Sequence, residues 1–196
     1  YVAFQAPEMN NDFVKDLKNE LIFSSELSYQ FSTSWLHANL SGYYSRVNNA
    51  TEWTCFYFDD INSFSYNSLT KLNKVYYGVE LGMKFKLTSF LDLKALGTIS
   101  EAKNISNAHV RYLNSTQGTY NDDEAIVKGM RENGTPLTAA NLGLSFHQAG
   151  WFIDVNGNYY DRIYLGYSPY YRYASALKAI GATDAKGNYI VSPQDK

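Results

Sequence analysis

From Lys74 to Leu87 the chain reads KVYYGVELGMKFKL, so that Val75, Tyr77, Val79, Leu81, Met83, Phe85 and Leu87 alternate with Tyr76, Gly78, Glu80, Gly82, Lys84 and Lys86. One face of this stretch is wholly apolar and the other is small or charged, apart from Tyr76. A period of two held over fourteen residues excludes a helix, whose apolar stripe recurs at three and four. It also outruns the usual strand of about five or six residues. Past Thr88 and Ser89 the pattern resumes, with Leu91, Leu93, Ala95, Gly97 and Ile99 against Asp92, Lys94 and Thr98. The two stretches predict one long hairpin.

The same unit occurs twice more. Phe23 to Phe31 and Leu36 to Tyr44 alternate on either side of Thr33-Ser34, and Ala140 to Phe146 and Trp151 to Tyr159 do so on either side of Gln148-Ala149-Gly150. The expectation is an all-β chain, a long antiparallel meander of about six or more strands with tight turns inside each hairpin. The connections between hairpins are different. Residues 47–73, 104–137 and 163–196 each exceed the 12 to 15 residues that structureless loops rarely pass in compact domains. Because antiparallel strands reverse direction, every short turn falls at one end of the sheet and every long connection at the other. Outer-membrane barrels have that asymmetry, whereas sandwiches carry loops at both ends. The chain is therefore read as a segment of a transmembrane outer-membrane β-barrel.

Large rings mark the short-turn end each time: Phe31 and Trp35, Phe85 and Phe90, Phe146 and Trp151. These six are the expected membrane girdle. Tyr44, Tyr77 and Tyr159 follow 8 to 10 residues along the same face, which at about 3.4 Å per residue and a tilt near 40° matches an apolar band about 25 Å tall. Glu80, Lys84, Lys86, Asp92 and Lys94, with Glu26 and Gln30, then face the lumen.

Composition removes other classes. Of 196 residues, 18 are Tyr, only 18% are charged and the net charge is −2, so the chain is neither disordered nor equipped with a basic field for nucleic acid. The one cysteine, Cys55, cannot pair within the chain and is expected in an exposed loop. No apolar run reaches the length of a spanning helix, and the first residues show no basic n-region followed by an apolar h-region, which does not exclude a barrel. Tyr1 at one end and Ser192 to Lys196 at the other read as cuts in a longer protein.

No chemistry of catalysis stands out. His37, His109 and His147 have no metal-site spacing, and the acidic run Asn121-Asp122-Asp123-Glu124 is read first as a solvated loop and second as a weak Ca²⁺ site. There is no phosphate-binding glycine loop and no nucleophile elbow, so no enzyme, cofactor or metal is expected.

Several stretches carry a family likeness. Leu17-Lys18-Asn19-Glu20 followed by Ser25-Glu26-Leu27-Ser28-Tyr29, the Gly78-Val79-Glu80-Leu81-Gly82 strand, the Gly134-Thr135-Pro136 turn, and Asn158 to Leu165 with Ser168-Pro169 resemble the C-terminal part of a TonB-dependent outer-membrane receptor. The last of these resembles the carboxypeptidase-regulatory-like subgroup. Asn19 stands where the family commonly has proline. The resemblance implies a Gram-negative outer-membrane barrel of the 22-stranded class closed around a plug, taking up nutrients with energy passed from TonB. It implies that residues 1–196 are a partial barrel domain without plug or final strands. Its partners would be the rest of the barrel, the plug, TonB, outer-membrane lipid and a small-molecule, glycan or peptide substrate. The alternatives are a secreted or surface β-sandwich that binds carbohydrate, and a passive porin-type barrel.

Substrate contact is expected on the long connections, where rings are dense: Trp53, Phe56, Tyr57 and Phe58, then Tyr112 and Tyr120, then Tyr164, Tyr167, Tyr170, Tyr171 and Tyr173. Amphipathic rings bury large area at low entropy cost.

Overall fold

A computed structural model describes residues 2–3, 12–13, 17–58, 63–114 and 119–196, with side chains described from 17 to 52, 68 to 111 and 122 to 196. β1 (Val2–Ala3) and β2 (Asp12–Phe13) form a short antiparallel pair. The main sheet holds β3 (Leu21–Ser32), β4 (Leu36–Phe58), β5 (Ser63–Lys86), β6 (Leu91–Asn104), β7 (Ala108–Asn114), β8 (Thr119–Ala125), β9 (Thr138–Gln148) and β10 (Trp151–Asp161). All neighbours are antiparallel, in the order β10-β9-β6-β5-β4-β3, and β7 pairs with both β5 and β8. The three hairpins read from the alternation are the six-strand path of this sheet.

Local chemistry closes the turns. Leu36 N–H donates to Thr33 Oγ1 at 3.0 Å while Thr33 N–H donates to the Leu36 carbonyl at 2.7 Å, locking the first turn. Between β9 and β10 the two loop residues Ala149 and Gly150 both have positive φ, 53° and 84°. That conformation twists with the strands and suits glycine at the second position.

The first two long connections are largely strand, and the third is mostly irregular. β4 and β5 run on past Tyr44 and Tyr77 as one paired ribbon to Phe58 and Ser63, so Trp53, Tyr57 and Cys55 lie in β4, not in an exposed loop. Residues 104–137 fold into the β7–β8 hairpin, which docks on β5 through Ser68, Leu69 and Thr70; Tyr112 and Tyr120 are strand residues of it. Residues 163–196 include a 3₁₀ turn (Tyr170–Arg172) and the short helix α1 (Ala174–Ala179). The reason is pairing: an isolated ribbon is marginal, and a third strand with a buried side makes it stable.

The only buried apolar cluster among the described residues sits in this distal part. Val47, Ala50, Leu69, Leu72, Ala108, Val110, Ala125, Val127, Met130 and Tyr173 pack together. The six-strand sheet below has no such core. Its apolar side chains are exposed, Leu27 at 82% and Val155 at 64%.

Candidate functional site

The registers assign every strand residue to one of two faces. Tyr29 faces Leu40, Leu40 faces Leu81, Leu81 faces Gly97, Gly97 faces Ala140 and Ala140 faces Tyr159. The next row toward the short turns, Phe31, Ala38, Met83, Ala95, Leu142 and Gly157, is apolar throughout, whereas the next row outward, Leu27, Gly42, Val79 and Ile99, ends in Thr138 and Asp161. The opposite face carries Glu26, Asn39, Glu80, Lys84, Lys86, Asp92, Lys94, Asn141 and Asn158.

Following the rings along the registers gives the strand inclination. Phe31 faces Ala38, which faces Met83, two residues from Phe85; Phe85 faces Leu93, which faces Leu144, two residues from Phe146. Two residues per two strands is about 6.8 Å along against 9.6 Å across, a tilt of about 35°. At the other end Tyr77 faces Glu101, and Gly97, four residues away, leads through Ala140 to Tyr159. Four residues over three strands is a tilt of about 43° in the same direction. The girdle rings and the step from Tyr77 to Tyr159 thus share the inclination of outer-membrane strands, while Tyr44 and Tyr77 face each other with no offset. At the short-turn end Trp35 lies against Phe85, centroids 6.3 Å apart, Phe90 meets Phe146 edge-on at 5.7 Å, and Trp151 is exposed.

On the polar face Lys84 and Asp92 pair at 3.0 Å, and Lys94 and Glu80 are exposed. An open groove of about 450 Å³ lies nearby, lined by Asn39, Ser41, Glu80, Asn141, Asn158 and Tyr160 among others. Sequence reasoning passed over Asn39, Asn141, Asn158 and Tyr160, although the same alternation places them here. Leu96 breaks the pattern: it faces Gly82 on this side and is exposed.

Beyond the tyrosine line a polar network knots the distal part. Lys74 donates to Glu132 Oε1 at 2.6 Å and to Glu52, and Tyr76 Oη donates to Glu132 Oε1 at 2.9 Å. Burial acts to lower the Lys74 pKa, but its hydrogen bonds to Glu132 and Glu52 prevail and hold it well above the ordinary lysine value. Burial and the bond to Glu132 push Tyr76 up to about 12. Tyr167, whose hydroxyl accepts from Asn104 Nδ2 at 3.1 Å, is pushed up to about 12 chiefly by burial and then by the charge of Glu52.

Of the rings expected to meet substrate, Tyr170 and Tyr171 are exposed and touch edge-on at 5.6 Å. Tyr167 is half-buried against the distal core. Tyr164 and Tyr173 are 5% and 3% exposed, so these two pack inward and offer no ligand surface. The side chains of Trp53, Tyr57, Tyr112 and Tyr120 lie outside the described residues. The acidic run does not converge on a point: Asp122 pairs with His109, Asp123 accepts from Ser175, and Glu124 accepts from Asn107. No metal-binding group of three forms among the described residues.

Residues 2–192 match the family model described as TonB dependent receptor-like, beta-barrel. The chain belongs to the TonB-dependent receptor β-barrel family. No curated protein and no solved structure matches it. The family is one of outer-membrane receptors and transporters, and the uncovered apolar face and inclined girdle rings are what such a barrel wall requires.

Membership also explains one close approach. A Cβ on Gly78 would lie 2.9 Å from Tyr43 Oη, 2.9 Å from Ser100 Cβ and 3.0 Å from the Ile99 carbonyl. Glycine there leaves room for the Tyr43 hydroxyl, the Ser100 side chain and the Ile99 carbonyl. Gly78→Ala is expected to destabilise the receptor barrel by about 1 to 3 kcal/mol, read by urea unfolding in vesicles. Tyr43→Phe should restore only part of the loss, because two of the three contacts are not with the hydroxyl.

Proposed function

We propose that this chain forms part of the wall and of the ligand-facing outer end of an active transporter for scarce nutrients, energised through TonB. In this reading Phe31, Trp35, Phe85, Phe90, Phe146 and Trp151 form the periplasmic girdle. Glu80, Lys84, Lys86, Asp92 and Lys94 line the lumen against a plug carried elsewhere in the protein. The observation that carries the reading is the two-faced sheet with rings at both ends of its apolar face: lipid on one side and a wet interior on the other account for both faces at once. A sandwich would cover the apolar face with a second sheet; the second sheet among the described residues is only the two-residue β1–β2 pair, and Leu27, Leu81, Leu142 and Val155 stay exposed. The stretch from Asn158 to Pro169 supports placing it in the carboxypeptidase-regulatory-like subgroup.

Ligand recognition is assigned to the distal part, where Tyr170 and Tyr171 are exposed and β7–β8 projects from β5. The test is to shorten the hairpin by removing Leu113 to Tyr120 in the intact receptor, which leaves the buried Ala108, Val110 and Ala125 in place. Uptake of labelled ligand is expected to fall at least tenfold with normal barrel assembly. Unchanged binding and uptake would remove the hairpin from the recognition surface, and uptake that persists without TonB would overturn active transport.

A further inference from the structure

Past Tyr76 the polar side of the wall holds a cavity of about 300 Å³, lined by Glu52, Asn104, Arg131, Glu132, Asn133, Gly166 and Tyr167. Lys74 and Tyr76 alternate onto the same face as Gly78 and Glu80, and Asn104 pairs with Lys74, so the cavity lies on the side that carries the lumen residues. Four parts of the chain converge there: Glu52 from β4, Asn104 from the end of β6, residues 131–133 from the segment after β8, and Gly166 and Tyr167 from the segment after β10. The volume is at the small end for ligand pockets, room for a single ring.

Each of its carboxylates has one oxygen committed and one open. Oε1 of Glu52 accepts from Lys74, and Oε1 of Glu132 accepts from Lys74 and Tyr76; neither Oε2 has a hydrogen-bond partner among the described residues. Asn104 is 6% exposed; its Nδ2 donates to Tyr167 Oη at 3.1 Å, and its Oδ1 accepts from no described residue. A buried amide oxygen so placed calls for a donor from the cavity. Tyr167 accepts from Asn104 and has its own proton to place, and with its pKa pushed up to about 12 by burial and then by Glu52 the hydroxyl stays a donor. Across the cavity a Cβ on Gly166 would come within 2.9 Å of Asn133 Nδ2, so the glycine leaves room for an amide that is exposed and bonded to no described residue.

This set of groups discriminates against ions. An ammonium or a metal ion brings no acceptor and would leave the Tyr167 hydroxyl proton and Asn133 Nδ2 unanswered. A carboxylate or phosphate would stand against both glutamates. The ion pairs around the cavity already balance, with Glu52, Glu132 and Glu101 met by Lys74, Arg131 and Arg162. A hydroxyl donates once and accepts twice, so adjacent hydroxyls on one ring answer both kinds of group. We infer that this cavity is a subsite for one ring of a neutral polyhydroxylated ligand, a sugar unit whose hydroxyls donate to Glu52, Glu132 and Asn104 and accept from Tyr167 and Asn133. The inference rests on the polar face being the wet interior of the proposed transporter, which water-soluble labelling of Lys94→Cys tests by itself.

The experiment uses the intact receptor in a sugar-free detergent and ligand-observed NMR titrations with the methyl glycosides of glucose, galactose, mannose, fucose and xylose, and with glucosamine and glucuronic acid as charged counterparts. At least one neutral glycoside is expected to bind, about tenfold or more tightly than either charged sugar. Gly166→Leu, which displaces the Asn133 amide, should weaken that binding about tenfold. Asn133→Ala, a change to an exposed side chain, should weaken it about threefold and stands in if Gly166→Leu fails to assemble. No binding by any neutral glycoside, equal or tighter binding of a charged sugar, or unchanged affinity in Asn133→Ala would each overturn the subsite while leaving the wall as described. Failure of Lys94→Cys to react with a water-soluble reagent would instead remove the reading on which the subsite rests.

Discussion

Leu81→Arg in the intact receptor is expected to cost about 2 to 4 kcal/mol, the penalty for a cation at the bilayer midplane on a barrel's outer face. Leu81 lies four residues from Phe85 and four from Tyr77, midway between the two lines of rings, and its row holds only Leu40, Gly97, Ala140, Tyr29 and Tyr159. Nothing in that row can neutralise a guanidinium. Lys94→Ala on the polar face should change stability by less than about 0.5 kcal/mol. Lys94 is a cleaner control than Lys84, whose removal would strand the buried Asp92 carboxylate 3.0 Å away. Urea titrations of the folded fraction in lipid vesicles read both. Single cysteines complete the test: Leu81→Cys should react with a lipid-soluble maleimide and Lys94→Cys with a water-soluble one. The reverse pattern would invert the wall.

The second large effect is expected at the distal knot. Replacing both Glu52 and Glu132 by Gln leaves the Lys74 ammonium, 9% exposed, with no counter-charge. Removing the partners of a buried ion costs about 3 to 5 kcal/mol. Hydrogen exchange should speed up in β7, β8 and the far halves of β4 and β5, while β6, β9 and β10 hold their protection. Uniform change in all strands would show that the distal part is not a separate unit.

The same knot sets an alkaline limit. Lys74, Tyr76 and Tyr167 all hold their protons more tightly folded than free, so their stabilisation is fully present below the ordinary values of 10.5 and 10.0 and is lost as pH rises toward the folded ones. Near-UV circular dichroism of the receptor should stay constant to about pH 10 and collapse between 10 and 12, with the far-UV signal of the spanning strands intact. In the Gln double variant the acceptor of the Tyr76 hydroxyl is a neutral amide oxygen in place of a carboxylate, and the transition should begin at lower pH.

The spanning part was legible in the sequence because each strand there faces two solvents of opposite character, which writes a period of two directly into residue type. The distal part was not. In TEWTCFYF the rings fall at both odd and even positions, so no period of two marks a strand, and in TYNDDEA the Asp and Asn residues read as a loop although β7 recruits them into a strand. Tyr164 and Tyr173 look like exposed recognition rings from sequence and pack inward in the fold. Lys74 and Glu132 are 58 residues apart, so no local pattern announces their pairing. The aromatic lines lie between these cases: the rings were visible, but their inclination needed the registers.

The β4–β5 ribbon changes register twice just past the membrane level. Three residues of β4 from Val47 to Ala50 span two of β5, and three of β5 from Leu72 to Leu69 then span two of β4. Asn49 and Lys71, with φ of 58° and 56°, mark the two extra residues. A slip of one residue in a plain ribbon would turn every side chain to the opposite face. Here the pair of opposed bulges acts as a clutch. An odd insertion or deletion farther out can be taken up at Asn49 or Lys71, and the phase of the spanning segment below is left untouched. The outer end can thus vary in length while Lys84 and Lys86 keep to the polar face of the sheet.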